Sequence, residues 1–380
     1  MKRRFKLKIS GESPRSLLIA YVLSKLRCDV YIYDYIINSN EKKDYQLLLF
    51  SKSSKYILSK FDIWNEIEDI SYDFTSLSIK DNLVSDQLLL STEKLSKKYL
   101  NTIGWTVKYL DIESLLINKC INSNNVHFIS NNQFIKKSFT FDFEIKFNNY
   151  DTKFNLFKLP LTTFKRIDEK LLIFNIYLRG HVEKRLYEIN TTKGLFVLTP
   201  INKNLYQVIW NNASSQIQEK ALLSKSLFLD NLSTLLPNEL KIDQIIGDIN
   251  LMHASDDYTI YFTKSKSIYF NENKMNSNTV YDFNFDLIIR NILRIYNFLE
   301  KNKSKNSNIF NKLGLFYLLR KYSEIEINLT FANSFIHLFK INNILSLLLR
   351  KLLFTLLKRI NLIRILVLRN LNILNNKKFN

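Results

Sequence analysis

The sequence predicts an α/β chain: a Rossmann-like dinucleotide-binding unit, interrupted by a mostly antiparallel β-sheet unit and followed by C-terminal helices. Three observations predict it. The chain opens on a strand, turn, helix and second strand. Residues from Phe139 to Trp210 then alternate mostly in strand fashion, and apolar residues at helical spacing return after them.

Phe5 to Ser10 reads as the first strand, Arg15 to Leu26 as a helix, and Asp29 to Tyr33 as the second strand. Between strand and helix lies Ser10-Gly11-Glu12-Ser13-Pro14-Arg15-Ser16, a turn facing a helix N-terminus. Parallel strands need such a crossover, so this is a βαβ opening. Asp34, at the end of the second strand, stands where a ribose-binding acid would stand, and equally reads as a strand-end cap. Leu48, Ile57, Leu58 and Phe61 suggest a helix over Leu47 to Phe61. Phe74 to Ile79 and Gln87 to Ser91 read as strands, and Asp111 to Ile121 as a helix with Ile112, Leu115 and Leu116 on one face. Leu195 to Leu198 and Tyr206 to Trp210 alternate as strands, Ala221 to Leu236 is helical, Ser267 to Phe270 is a short strand, and Asn284 to Leu299 is a helix rich in Ile and Leu.

Composition fits a folded protein, at 46% hydrophobic and 24% charged residues, which excludes a disordered or collagen-like chain. Six glycines stand where average usage would give about 27. Cys28 and Cys120 show no pairing pattern, which fits a reducing compartment. His127, His181, His253 and His337 are scattered singly, without metal-ligand spacing. The net charge of +20 calls for an anionic partner, and with no nucleic-acid motif beside it the expectation is an anionic membrane, not nucleic acid. The basic N-terminus runs straight into a strand without an apolar core or cleavage site, so no signal peptide is expected.

Ile327 to Asn380 contains no Asp or Glu and nine Lys or Arg. Its uncharged stretches are too short for the roughly 20 residues of a membrane span. Amphipathic helices with basic faces, suited to lying on an anionic bilayer, are one reading. A helical layer packed on the protein is the other.

Further landmarks resemble a known family. Ile9-Ser10-Gly11-Glu12-Ser13-Pro14-Arg15-Ser16 sits where flavin-dependent aromatic hydroxylases carry Gly-x-Gly-x-x-Gly with a proline after the second glycine. Ser51-Lys52-Ser53-Ser54 with Phe61-Asp62-Ile63-Trp64, then Ile103-Gly104-Trp105, resemble the family's next segments. His181, Gly194-Leu195-Phe196-Val197-Leu198-Thr199-Pro200, Val208-Ile209-Trp210 and Leu251-Met252-His253-Ala254 follow in the family's order. The chain is thus similar to the ubiquinone-biosynthesis monooxygenase branch over nearly its whole length. Ser13 and Ser16 replace the second and third glycines, and Glu12 adds a carboxylate beside the turn. In the second nucleotide motif Glu272 keeps a carboxylate, while Asp282, Phe283 and Asn284 replace a glycine-rich run, and the middle motif persists only as Asn149-Tyr150-Asp151-Thr152.

The resemblance implies an FAD-binding unit over 1–75, 100–155 and 262–300, a substrate-like β unit over 76–99 and 156–261, and a basic helical region over 301–380. Gly11, Ser13, Arg15, Ser16, Asp34, Glu272 and Asn284 are the implied FAD-binding residues. With NAD(P)H as electron donor, the implied activity is hydroxylation of the ring of a polyprenylated ubiquinone precursor. The implied place is the cytoplasmic face of the inner membrane, beside other quinone-biosynthesis proteins. The altered glycines also fit a non-catalytic paralogue that keeps the fold and serves as a membrane-associated partner or scaffold.

Overall fold

A computed structural model describes residues 4–26, 28–33, 35, 47–91, 102–129, 140–148, 169–180, 183–212, 224–237, 239–254, 260–263, 267–271, 284–301, 338–339 and 343–360. In chain order the elements begin with β1 (Phe5–Ser10), α1 (Pro14–Ser24), β2 (Cys28–Tyr33), β3 (Leu47–Ser51), α2 (Lys52–Ser59) and α3 (Trp64–Asp69). They continue with β4 (Tyr72–Phe74), β5 (Ser76–Asp81), β6 (Asp86–Ser91), β7 (Gly104–Lys108), α4 (Tyr109–Ile121), β8 (Val126–Ile129), β9 (Phe143–Asn148) and β10 (Glu169–Leu178). Next come β11 (Arg185–Thr191), β12 (Gly194–Pro200), β13 (Leu205–Asn212), α5 (Lys225–Leu235) and β14 (Ile242–Ala254). The last are β15 (Ile260–Thr263), β16 (Ser267–Asn271), α6 (Asn284–Lys301) and α7 (Ile344–Arg359).

The first layer is a six-stranded sheet of order β15-β16-β9-β1-β2-β8. Its pairs are parallel except β15 with β16. Leu7 and Ile9 of β1, Val30 and Ile32 of β2 and Ile145 of β9 are fully buried, as a sheet covered on both faces requires. The helix α1 is apolar almost all round, and every residue in it except Arg15 is buried. In α6, Phe285, Ile288, Ile289, Ile292, Ile295 and Leu299 recur at helical spacing and enter the same core.

The second layer is a seven-stranded sheet of order β14-β10-β13-β12-β11-β5-β6, antiparallel except where β11 meets β5. One face packs under α5, where Phe228 and Leu232 meet Phe174, Phe196 and Trp210. The other face meets the rest of the molecule, since Leu77, Ile79, Leu186 and Val197 cluster with Leu49, Phe74 and Ile103 and with Phe339, Phe354 and Leu357.

A small sheet, β3-β7-β4, lies beside this cluster. The Thr106 hydroxyl donates to the Pro200 carbonyl at 2.6 Å, tying the small sheet to the end of β12. A side chain at Gly104 would stand 2.6 Å from the Phe74 ring, so the close approach of β7 to β4 needs glycine.

The expected helix over Leu47 to Phe61 is instead a strand and a shorter helix. Leu47 to Ser51 pairs residue by residue with β7, and the Ser51 hydroxyl accepts from the Ser54 N–H, so the serine caps α2 and ends the strand.

Candidate functional site

At Gly11 the backbone takes φ +149°, and an added Cβ would meet Phe147 Cβ at 2.6 Å and the Phe147 carbonyl oxygen at 2.8 Å. Both the dihedral and the space demand glycine. Ser13, in place of the second glycine, is extended at φ −134°, ψ 160°, which any residue adopts, and it is the N-cap of α1. Pro14 follows at the start of the helix, where its missing N–H costs nothing. Ser16 is wholly buried, and its hydroxyl donates to the carbonyls of Ser13 at 2.7 Å and Gly11 at 3.0 Å. The third-glycine position therefore braces the turn from within, and its proton is directed away from an incoming phosphate.

Glu12 is exposed, Arg15 is half-buried in the first turn of α1, and that turn holds no acidic residue. The positive end of the helix thus meets no carboxylate from its own first turn, and Arg15 adds a cation. These residues fit a pyrophosphate, held by the turn at the carboxyl end of the central strand of a parallel sheet.

Asp34 and Glu272 lie outside the described residues, as do His181, Tyr150, Asp282 and Phe283. Just before Asp34, the buried Tyr33 stacks edge-on against Phe141 at 5.7 Å, with the Lys8 ammonium 4.9 Å from its ring centre. Asn284 opens α6, and its side chain is outside the described set.

Two residues on, Asp286 is fully buried. Its Oδ1 accepts from the Ser51 N–H at 3.1 Å and from the Ser54 hydroxyl. Burial raises the Asp286 carboxyl above its usual range, opposed by Arg290 and by those serine bonds, and Oδ2 is buried without a hydrogen-bond partner. This contact clamps the start of α6 to the start of α2.

The face of the second sheet turned toward the small sheet and the C-terminal helix carries polar groups that reading the sequence did not single out. Glu188 stands in the middle of β11, 3% exposed, beside Val197 of β12 and Ile79 of β5. Its Oε2 has no hydrogen-bond partner, and burial pushes the carboxyl up to about 8. In the next row of the same face, Thr199, Gln207 and Asn175 stand side by side across β12, β13 and β10. Period-two alternation in Leu186-Tyr187-Glu188-Ile189-Asn190 is the signal that places Glu188 with Leu186 on the inner face.

The C-terminal helix α7 docks on the β5–β6 edge of this sheet. Arg350 is fully buried, paired with Asp81 at 3.1 Å, and donates to the carbonyls of Leu338 at 2.8 Å and Phe339 at 2.7 Å. Lys358 pairs with Asp86. The outward face carries Ile344, Leu345, Leu348, Leu349 and Leu352, which are 46–79% exposed, together with exposed Lys351 and Arg359. One basic side chain of the expected basic face therefore points inward, because Asp81 waits for it there, and leucines take much of the outer surface. No helix among the described residues is long and apolar enough to cross a membrane.

No family model and no curated protein matches the sequence. Solved structures do match. The p-nitrophenol 4-monooxygenase PnpA from Pseudomonas putida DLL-E4 superposes at a TM-score of 0.69 and 11% identity, covering 98% of this chain and 99% of its own. PqsL, a probable FAD-dependent monooxygenase from Pseudomonas aeruginosa, reaches 0.63 at 9% identity, covering 84% and 92%. The flavin-dependent halogenase CmlS reaches 0.64 at 14% identity, covering 89% of this chain and 65% of its own. Parallel first sheet, antiparallel second sheet and C-terminal helix together give this chain the fold of the FAD-dependent aromatic hydroxylases.

Proposed function

We propose that the protein is an FAD-dependent monooxygenase that hydroxylates the aromatic ring of a polyprenylated ubiquinone precursor at an anionic membrane surface. The observation that carries the flavin reading is the Gly11 turn, whose backbone and packing admit only glycine although glycines are scarce in the chain. Gly11, Ser13 and Arg15 are assigned to the pyrophosphate side of FAD, with Ser16 bracing the turn behind them. Asp34, Glu272 and Asn284 remain assigned to the cofactor from the sequence. Bound FAD would supply the oxygen chemistry, drawing electrons from NAD(P)H. The chain's own part is to position the ring and exclude water from it.

The membrane reading is supported by α7. Five exposed aliphatic side chains flanked by Lys351 and Arg359, on a chain of charge +20, match an interfacial helix on an anionic bilayer. A prenylated substrate resides in the bilayer, and a helix lying on it would hold the protein there. Changing Leu345, Leu348 and Leu352 together to Glu is expected to abolish sedimentation with anionic liposomes while leaving the melting temperature within a few degrees. Unchanged sedimentation would refute the membrane role.

The serines at the second and third glycine positions favour a second reading, a non-catalytic partner or scaffold with the same fold. Titrating the purified chain with FAD separates the two, because a scaffold has no need of the flavin.

A further inference from the structure

A carboxyl group buried in the middle of a sheet face, with one oxygen lacking any partner, is costly to keep. Glu188 has Ile79 and Val197 opposite it on the neighbouring strands and Leu186 two residues before it. Those three pack with Leu49 and Phe74 of the small sheet and with Phe339, Phe354 and Leu357 near the C-terminus. The carboxyl is therefore sealed beneath the elements that dock on this face.

The seat of α7 begins one row away. Asn190 follows Glu188 on the same face, opposite Asp81, and its amide donates to the Phe339 carbonyl at 3.4 Å. Arg350 of α7 closes that corner on Asp81 and on the carbonyls of Leu338 and Phe339.

Among the described residues, the charged groups on this side of the sheet come in pairs. Asp81 of β5 and Arg350 of α7 neutralise each other, and Asp86 of β6 pairs with Lys358. β12 and β13 turn uncharged side chains to the same face, and Asp73, on the far side of β4 from Phe74, pairs with Lys184. An ionised Glu188 would thus lie under this cover without a countercharge, and burial pushes its carboxyl up to about 8.

We propose that Glu188 is a proton-operated latch for the C-terminal helix: while it is protonated, α7 and Phe339 stay seated on the second sheet, and its ionisation loosens that seat while the parallel sheet stays folded. The outward leucines of α7 carry the membrane reading, so pH sets how firmly that surface is tied to the second sheet. The latch needs neither bound flavin nor a bilayer, and its test is separate from both.

Amide hydrogen exchange of the full chain from pH 5 to 9, without lipid and corrected for the intrinsic pH dependence of exchange, tests it. Off its seat a 16-residue helix is marginal in water, so an opened α7 exchanges its amides. The seated form holds the proton up to about pH 8, whereas the opened form gives it up above the ordinary 4.5. Each opening then releases one proton, and protection of α7 is expected to fall about tenfold per pH unit between about pH 5 and 8 and to level off above. At every pH α7 is expected to be at least about tenfold less protected than β1 and β2, as release without global unfolding requires. Glu188→Gln and Glu188→Leu, neither of which can ionise, are each expected to hold α7 protection level from pH 5 to 8.

Protection of α7 that does not change with pH in the unchanged chain, or that falls as steeply in either variant, would overturn the proposal. So would an α7 unprotected already at pH 5, or one protected as well as β1 and β2, which only global unfolding would free.

Discussion

Glu188 shows how one side chain ties stability to pH. Its carboxyl is raised from 4.5 to about 8 by burial. Stability contributed by the protonated form is fully present below about pH 4.5 and is lost as pH rises through about 8. Melting temperatures measured from pH 5 to 9 are therefore expected to fall more steeply for the unchanged chain than for Glu188→Gln, and parallel curves would contradict the assignment. Gly11 makes the opposite kind of demand, on space and dihedral. Gly11→Ala is expected to cost about 1–3 kcal/mol from backbone strain and crowding against Phe147 and to weaken FAD binding, both readable by melting and titration. Gly11 was legible in the sequence because a lone glycine between strand and helix has few other uses. The inward bond of Ser16 was not, since nothing in a sequence tells whether a hydroxyl donates to its own turn or to a ligand. Glu188 went unnoticed because a glutamate in a strand reads as solvent-facing until the neighbouring strands fix which face is covered.

At the scale of elements, α7 and the α2–α6 junction carry the tests. Arg350 and Asp81 are both wholly buried and far apart in sequence, so neither announces the other. Arg350→Met is expected to cost about 3–5 kcal/mol, because Asp81 is left buried without its countercharge. The double variant with Asp81→Asn should recover a large part of that loss, and an unrecovered loss would show that packing, not charge, holds the helix. Asp286→Ala leaves the Ser51 N–H and the Ser54 hydroxyl without their buried acceptor, with an expected cost of about 1–3 kcal/mol in denaturant melts. Apolar and basic residues interleaved near the C-terminus did announce a helix. Which side faces outward depended on Asp81, which the helical pattern does not contain. The strand at Leu47 to Ser51 was missed for a similar reason: its pairing partner is β7, and four apolar residues in a row carry no period of their own.

In the whole molecule, the order of elements was more legible than any motif. A βαβ opening, a long alternating middle and returning helices survive in a chain only about a tenth identical to its structural neighbours, because burial pattern and connection handedness constrain a fold more than residue identity does. Motifs written in glycine faded first where serine can be accommodated, as at Ser13 and Ser16, and persisted where backbone or packing leaves no room for a side chain, as at Gly11 and, against the Phe74 ring, at Gly104. The scarcity of glycine is therefore compatible with a working pyrophosphate turn. Titration of the purified full chain with FAD, followed by the change in flavin fluorescence, tests that claim most directly. The account predicts saturable binding of one FAD per chain, weakened at least about tenfold in Gly11→Ala; no saturation in the unchanged chain, or equal titrations of the two, would contradict it.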